Sequence, residues 1–150
     1  MGAVEIPLFF MIFIQKEINL KSRSKGIYLI TSEVLSAIPE IKNIKSGIAN
    51  IFLKHTSASL SINENASPDV RTDMENFLDN LIPNEKYFVH NYEGEDDMPA
   101  HIKSSIIGNS LTIPITNGTL NLGTWQGIYL CEHRFHSHQR KLVITLIGTE

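Results

Sequence analysis

The stretch that most narrows the fold is "SLTIPITNGTLNLGTWQGIYLCEHR" at residues 110–134, followed by "KLVITLIG" at 141–148. Runs of β-branched and aromatic residues alternate there with polar ones, and Asn117–Gly118 separates two of the runs. That dipeptide offers two residues tolerant of positive φ, which a two-residue hairpin requires. The C-terminal third therefore reads as antiparallel hairpins. Further strands are expected at "FIQKEINL" (13–20), at "GIYLIT" (26–31), and at "GIANIFLKHTSASLSINEN" (47–65), where two strands flank a polar bend at His55–Ser59. Three helices are expected. "SEVLSAI" is a short one capped by Thr31 or Ser32. The clearest spans 68–82: Ser67 caps it, Pro68 opens it, Val70, Met74, Phe77, Leu78 and Leu81 form its apolar face, and Pro83 stops it. Another runs from near Pro99 to Gly108, buried through Ile102, Ile106 and Ile107. The expected class is α+β: a compact, largely antiparallel, β-sandwich-like sheet core with two or three helices.

A chain of 150 residues suits one domain with a real core. Its formal net charge of −3 argues against a general nucleic-acid binder, which needs a basic face for phosphates. A single cysteine, Cys131, forms no internal disulfide, and a reducing cytoplasm is the simplest setting. Cys131 reads as a buried thiol, not a nucleophile. "IPLFFMIFI" is about nine residues long. A membrane span needs roughly 20, and no signal-peptide pattern is present. Residues 1–10 read as an extension from an upstream start, with a single domain over 11–150 and Met11 as the alternative first residue.

Polar residues gather at strand ends and helix starts. His55, Thr56, Ser57 and Ser59 suit an anion, or form an ordinary Ser/Thr turn. Asp69 and Asp73 compensate the helix dipole at the start of 68–82; Arg71 has the wrong sign for that end, and either meets a phosphate or is solvated. His90, ending a strand at "YFVH", and His101, near the start of the second long helix, bracket Glu93, Glu95, Asp96 and Asp97. Two neutral imidazoles so placed are able to share a divalent cation; the alternative is solvated acids with structural histidines. Gly123 and Gly127 permit close backbone approach, and Trp125 and Gln126 alternate sides, so that one is core and the other reaches a pocket. Glu132, His133, Arg134, His136, His138, Arg140 and Lys141 form either a metal or phosphate cluster or a charged hairpin tip. There is no phosphate-binding glycine loop, nucleophile elbow or paired-cysteine motif.

In combination, "HTSASLSINEN", "DVRTDMENFLDNLIP", "YFVHNYEGEDDMPAHIKSSIIG", "SLTIPI", "GTWQGIYLCEHR" and a terminal "ITLIG" closely resemble the secondary thiamine-phosphate synthase (YjbQ) family, in order, over about residues 11–148. The resemblance implies an α+β sandwich assembled as a homotrimer, with a divalent metal, zinc or else magnesium, among histidine-bearing segments. It implies His55, His90 and His101 as metal ligands, and Glu64, Arg71 and His133 as catalytic residues. Thr56, Ser57, Lys103, Gln126 and Arg134 are the implied contacts to a small phosphorylated substrate. His136 and His138 match no family motif. The implied reaction joins an aminopyrimidine diphosphate to a thiazole phosphate and releases pyrophosphate. The alternatives are a metal-dependent hydrolase of a phosphorylated metabolite and a non-catalytic trimer that binds a metal or metabolite. No nucleic-acid or membrane partner is expected.

Overall fold

The hairpin turn forms as read: Asn117 and Gly118 both take positive φ, 50° and 79°, and Thr116 pairs with Thr119 across them. The computed structural model describes residues 2–3, 10–136 and 138–150. The reading of residues 1–10 as an extension falls mainly on 1 and 4–9, outside the described residues.

Among the described residues eight strands make two antiparallel sheets. They are β1 (Met11–Arg23), β2 (Gly26–Leu29), β3 (Ser46–Leu53), β4 (Ala58–Glu64), β5 (Ser110–Thr116), β6 (Thr119–Leu120), β7 (Gln126–Glu132) and β8 (His138–Thr149). The larger sheet runs β1-β8-β3-β5-β6 and the smaller β2-β7-β4. Helices α1 (Thr31–Ala37), α2 (Pro68–Leu81) and α3 (Asp97–Ile107) and a 3-10 turn (Pro39–Asn43) complete the chain. The expected α+β sandwich is what forms. No helix among the described residues is long and apolar enough to cross a membrane.

Strand burial gives the layers. Along β8 fully buried residues alternate with partly exposed ones, so one face of the large sheet meets the core. Along β7 every residue from Gly127 to Glu132 is buried, because the small sheet is covered on both faces. One of its faces presents Ala58, Leu60, Ile128 and Leu130 to Ala49, Ile51, Ile113, Leu142, Ile144 and Leu146 of the large sheet. On its other face β2 meets α2 and β4 meets α3, over Ser59, Ser61, Tyr129 and Cys131. Gly127 is needed for this packing: a Cβ there would stand 2.6 Å from Leu29 Cδ2.

The sandwich is also tied by charge. Glu132 shares the core-facing side of Ala58, and Arg140 of β8 reaches it from the opposite sheet. Nε donates to Oε1 at 2.8 Å and Nη2 to Oε2 at 2.5 Å, with both side chains buried. Nη2 also donates to the Ser57 carbonyl and hydroxyl oxygens.

Several local expectations are corrected. "YFVH" makes no strand; residues 83–96 are turns and loop, and Tyr87 and Val89 are exposed. With no neighbouring strand to complete their hydrogen bonds, β-forming residues there stay irregular. In α2 Leu78 is buried, but Phe77 and Leu81 are exposed, since only a narrow stripe touches β2. Neither Ser67 nor Thr31 caps its helix through its side chain. Thr31 Oγ1 instead accepts the Ile128 N–H. In α3 Ile106 is 63% exposed, whereas Asp97, Ala100, Lys103 and Ser104 are buried. Trp125 and Gln126 are both exposed, in and just after the turn that precedes β7.

Candidate metal centre

Helix α3 begins two residues before Pro99, and this brings Asp97 into helical phase with His101, four residues on. Residues so spaced share a helix face. His90 arrives from the loop before the helix. Its Nε2 donates to Asp97 Oδ2 at 2.6 Å, and His101 Nε2 lies 3.4 Å from the same oxygen. One donor atom from each of His90, Asp97 and His101 falls within 4.8 Å of the other two.

The surroundings orient these groups. His101 Nδ1 donates to the Thr56 carbonyl at 2.8 Å, which in the neutral ring puts the lone pair on Nε2, on the side of Asp97. A ligating histidine uses the same device, its second nitrogen anchored on a carbonyl. Arg134 clamps the helix start: Nη1 donates to Asp97 Oδ1 at 2.5 Å, Nε to Asp96 Oδ2 at 2.9 Å, and Nη2 to the Glu93 carbonyl. The Phe135 N–H adds a bond to Asp96 Oδ2. Asp97 is 1% exposed. Burial works to raise its pKa, but the hydrogen bond from His90 and the Arg134 charge outweigh that and hold it below the usual carboxylate range. The result is an ionised aspartate with two imidazoles half open to solvent. Two nitrogens and one carboxylate oxygen suit zinc and similar divalent ions, and they leave coordination positions vacant. The His90 proton on Nε2 must leave before that nitrogen ligates.

Beside His101 lies a cleft of about 340 Å³, lined also by His55, Thr56, Ser104, Ser105, Gly108 and Asn109. His55 lies in this cleft and not among the three clustered ligand atoms: its Nε2 accepts the Lys141 N–H at 2.8 Å. In the neutral ring that leaves Nδ1–H as a donor. Burial, with the Arg140 charge, lowers its pKa and keeps it neutral.

The remaining predicted site residues are dispersed. Glu64 accepts the N–H groups of Ala66 and Ser67 and so shapes the entry to α2. Gln126 accepts the Gly123 N–H within its own turn. Ser57 binds Arg140. Arg71 lies over the Tyr129 ring, 5.8 Å from its centroid, with a buried Nε that has no partner among the described residues. Lys103 points to the other side of α3, where Nζ donates to Asp79 Oδ1 at 2.6 Å. His133 is 1% exposed, its Nε2 2.7 Å from Ser59 Oγ. Burial, reinforced by Lys103, Lys25 and Arg140, lowers its pKa to about 3. His136 and His138 are exposed and outside the cluster. Asp97 is the ligand-type residue that strand-and-loop reasoning missed; the Asp-x-x-x-His spacing across Pro99 was the available signal.

Fold and site together define a class: a two-sheet α+β sandwich with a two-histidine, one-aspartate cluster at a helix start. The chain belongs to the YjbQ-like UPF0047 protein family, which it matches over residues 16–149. It is 46% identical over 134 residues to the UPF0047 protein YjbQ of Escherichia coli O157:H7, a match covering 89% of this chain and 97% of that one. The crystal structure of an uncharacterised YjbQ/UPF0047 protein from Clostridium acetobutylicum is 37% identical. It superposes with a TM-score of 0.74 over 89% of this chain and 98% of that one. A hypothetical protein from Aeropyrum pernix K1, 26% identical, gives 0.80 over 90% and 98%.

Proposed function

We propose that the protein is a divalent-metal enzyme acting on a small phosphorylated metabolite. The proposed reaction is the thiamine-phosphate synthesis its motifs imply: an aminopyrimidine diphosphate and a thiazole phosphate joined with loss of pyrophosphate. The observation that carries the metal reading is the convergence of His90, Asp97 and His101 donor atoms within 4.8 Å at the edge of an open cleft. A divalent cation on these three residues supplies Lewis acidity for phosphate oxygens. The chain's own groups do the rest. Arg134 and the Thr56 carbonyl fix the ligands before substrate arrives. His55, neutral and bonded through Nε2, offers Nδ1–H to substrate in the cleft.

A second reading, metal-dependent hydrolysis of a phosphorylated metabolite, draws support from the distribution of cations. Arg134 is committed to Asp96 and Asp97, Lys103 to Asp79, and Arg71 lies over Tyr129. A departing pyrophosphate asks for more free cations than a simple hydrolytic step does. The homotrimer is also part of this proposal. Phe13, Ile147, Ile48 and Pro114 align in register across four strands on the outer face of the large sheet, with Phe13 68% and Ile48 45% exposed. Such a row suits burial against another copy.

The test uses chelator-treated protein reloaded with zinc or magnesium. Thiamine phosphate should form from the two substrates. Asp97→Asn and His101→Ala should each lower activity by at least about 10–100-fold, and His136→Ala should not. Phosphate release from an ester panel without the joined product selects hydrolysis. Metal-loaded protein that does neither refutes the catalytic proposal.

A further inference from the structure

A second cleft, of about 190 Å³, lies on the other side of α3 and contains a group of buried charges that the metal centre does not use. At 100° per residue, Asp96, Pro99 and Lys103 face more than a quarter-turn away from Asp97 and His101. Lys103 is 3% exposed, yet its ammonium has one hydrogen-bond partner among the described residues, Asp79 Oδ1 at 2.6 Å. An ammonium carries three donors, so two are left over in a desolvated place. Lys25, from the turn before β2, takes the other oxygen of the same carboxylate at 2.8 Å and also pairs with Glu75. The carboxylate holding both lysines belongs to a side chain that is itself 44% exposed and at the end of α2. It has room to turn outward. His133 lines the same cleft, and its Nδ1 has no hydrogen-bond partner among the described residues. Ile82, Pro83, Pro99 and Phe135 supply apolar walls, and Asn84, Glu95 and Asp96 complete the lining, the Asp96 carboxylate being neutralised by Arg134. Apolar walls with a few convergent polar groups are the ordinary make-up of a small-molecule pocket.

We propose that this cleft binds the phosphate or carboxylate group of a small molecule between Lys25 and Lys103, in the place that Asp79 fills when the ligand is absent. The oxyanion takes the spare ammonium donors, and His133 turns to the tautomer with Nδ1–H facing it while Nε2 accepts the Ser59 hydroxyl. Asp79 is then a competitor built into the chain. The neutrality of His133, enforced by burial, suits a donor that adds no charge of its own.

The experiment titrates full-length, chelator-treated protein with inorganic phosphate, and separately with acetate, while the His133 ring nitrogens are followed by long-range proton–nitrogen correlation. A saturable shift toward the Nδ1–H tautomer is expected. Saturation by phosphate alone assigns a phosphoryl group, and by acetate alone a carboxylate. Lys25→Met should weaken binding about tenfold, the worth of one charge-assisted hydrogen bond. Lys25 is chosen because its side chain is less buried than that of Lys103. Asp79→Asn should tighten binding, and His101→Ala should leave it unchanged, which separates this site from the metal proposal. The absence of a saturable shift with either anion overturns the proposal. So does an equal response in Lys25→Met, or an Asp79→Asn protein that binds no more tightly.

Discussion

Replacing His133 by glutamine should flatten the acid limb of the stability curve. In the folded protein burial, with the Lys103, Lys25 and Arg140 charges, holds the imidazole pKa at about 3, against the ordinary value of 6.5 that stands for the unfolded chain. Between those limits the unfolded chain binds a proton that the folded chain refuses. Stability therefore falls as pH drops below 6.5 and stops falling from this cause below about 3. Each pH unit in that window is worth about 1.4 kcal/mol. From pH 7 to pH 5 the loss comes to about 2 kcal/mol from this one residue, an appreciable part of a typical stability of roughly 5–15 kcal/mol. Glutamine does not titrate, and its amide can still reach Ser59. His55, whose pKa is also lowered, contributes with the same sign, so the informative quantity is the difference between the two proteins. Urea denaturation of wild type and His133→Gln at pH 7 and pH 5 measures it. The wild type should lose about 2 kcal/mol more than the variant over this interval. Equal losses would refute the claim that His133 stays neutral in its buried position.

Glu132→Gln should destabilise by about 3–5 kcal/mol in the same assay, because Arg140 is left buried without its anion, and Glu132→Leu with Arg140→Met should cost much less. Cys131 should resist a disulfide reagent at about pH 8 until the protein unfolds, since burial pushes the thiol up to about 12; fast reaction of the native protein contradicts this. Ile48→Glu, at the centre of the apolar row on the large sheet, should turn a trimer into monomers by light scattering, and a monomeric wild type would remove the assembly proposal.

The parts of the fold that could be read from the sequence were those whose determinants are local. Asn117–Gly118 dictates its own turn, and β8 announces itself by five buried positions in alternation, from Arg140 to Gly148, with only two polar exposures preceding them. The division of strands between two sheets was not legible. β7 is buried on both faces, so its pattern carries no alternation, and its partners β2 and β4 both lie far upstream of it in sequence, Ile27 and Ser59 each pairing with Cys131. "YFVH" misled for the opposite reason: its residues favour a strand, but no neighbour exists to pair with.

The start of α3 shows why the candidate site was half visible. The sequence pattern puts Pro99 at the first helical position, one that proline favours. Proline is equally free of cost anywhere in the first turn, because those N–H groups have no intrahelical acceptor. It sits third here, and Asp97 is the first. That shift of two residues moves Asp97 from a solvated loop acid to a buried carboxylate four residues from His101 and in reach of His90. Ile102 and Ile106 do not form the buried stripe: Ile106 is exposed, and the buried positions are Asp97, Ala100, Lys103 and Ser104. The buried positions of α3 carry Asp97, Lys103 and Ser104, held by His90 and Arg134, by Asp79, and by the Ala58 carbonyl respectively. Hydropathy ranks such residues as outside, since it scores a side chain without its partner. Where polar groups are buried in pairs the apolar period inverts, and an inverted period on a helix whose ends are well marked is itself a pointer to a site.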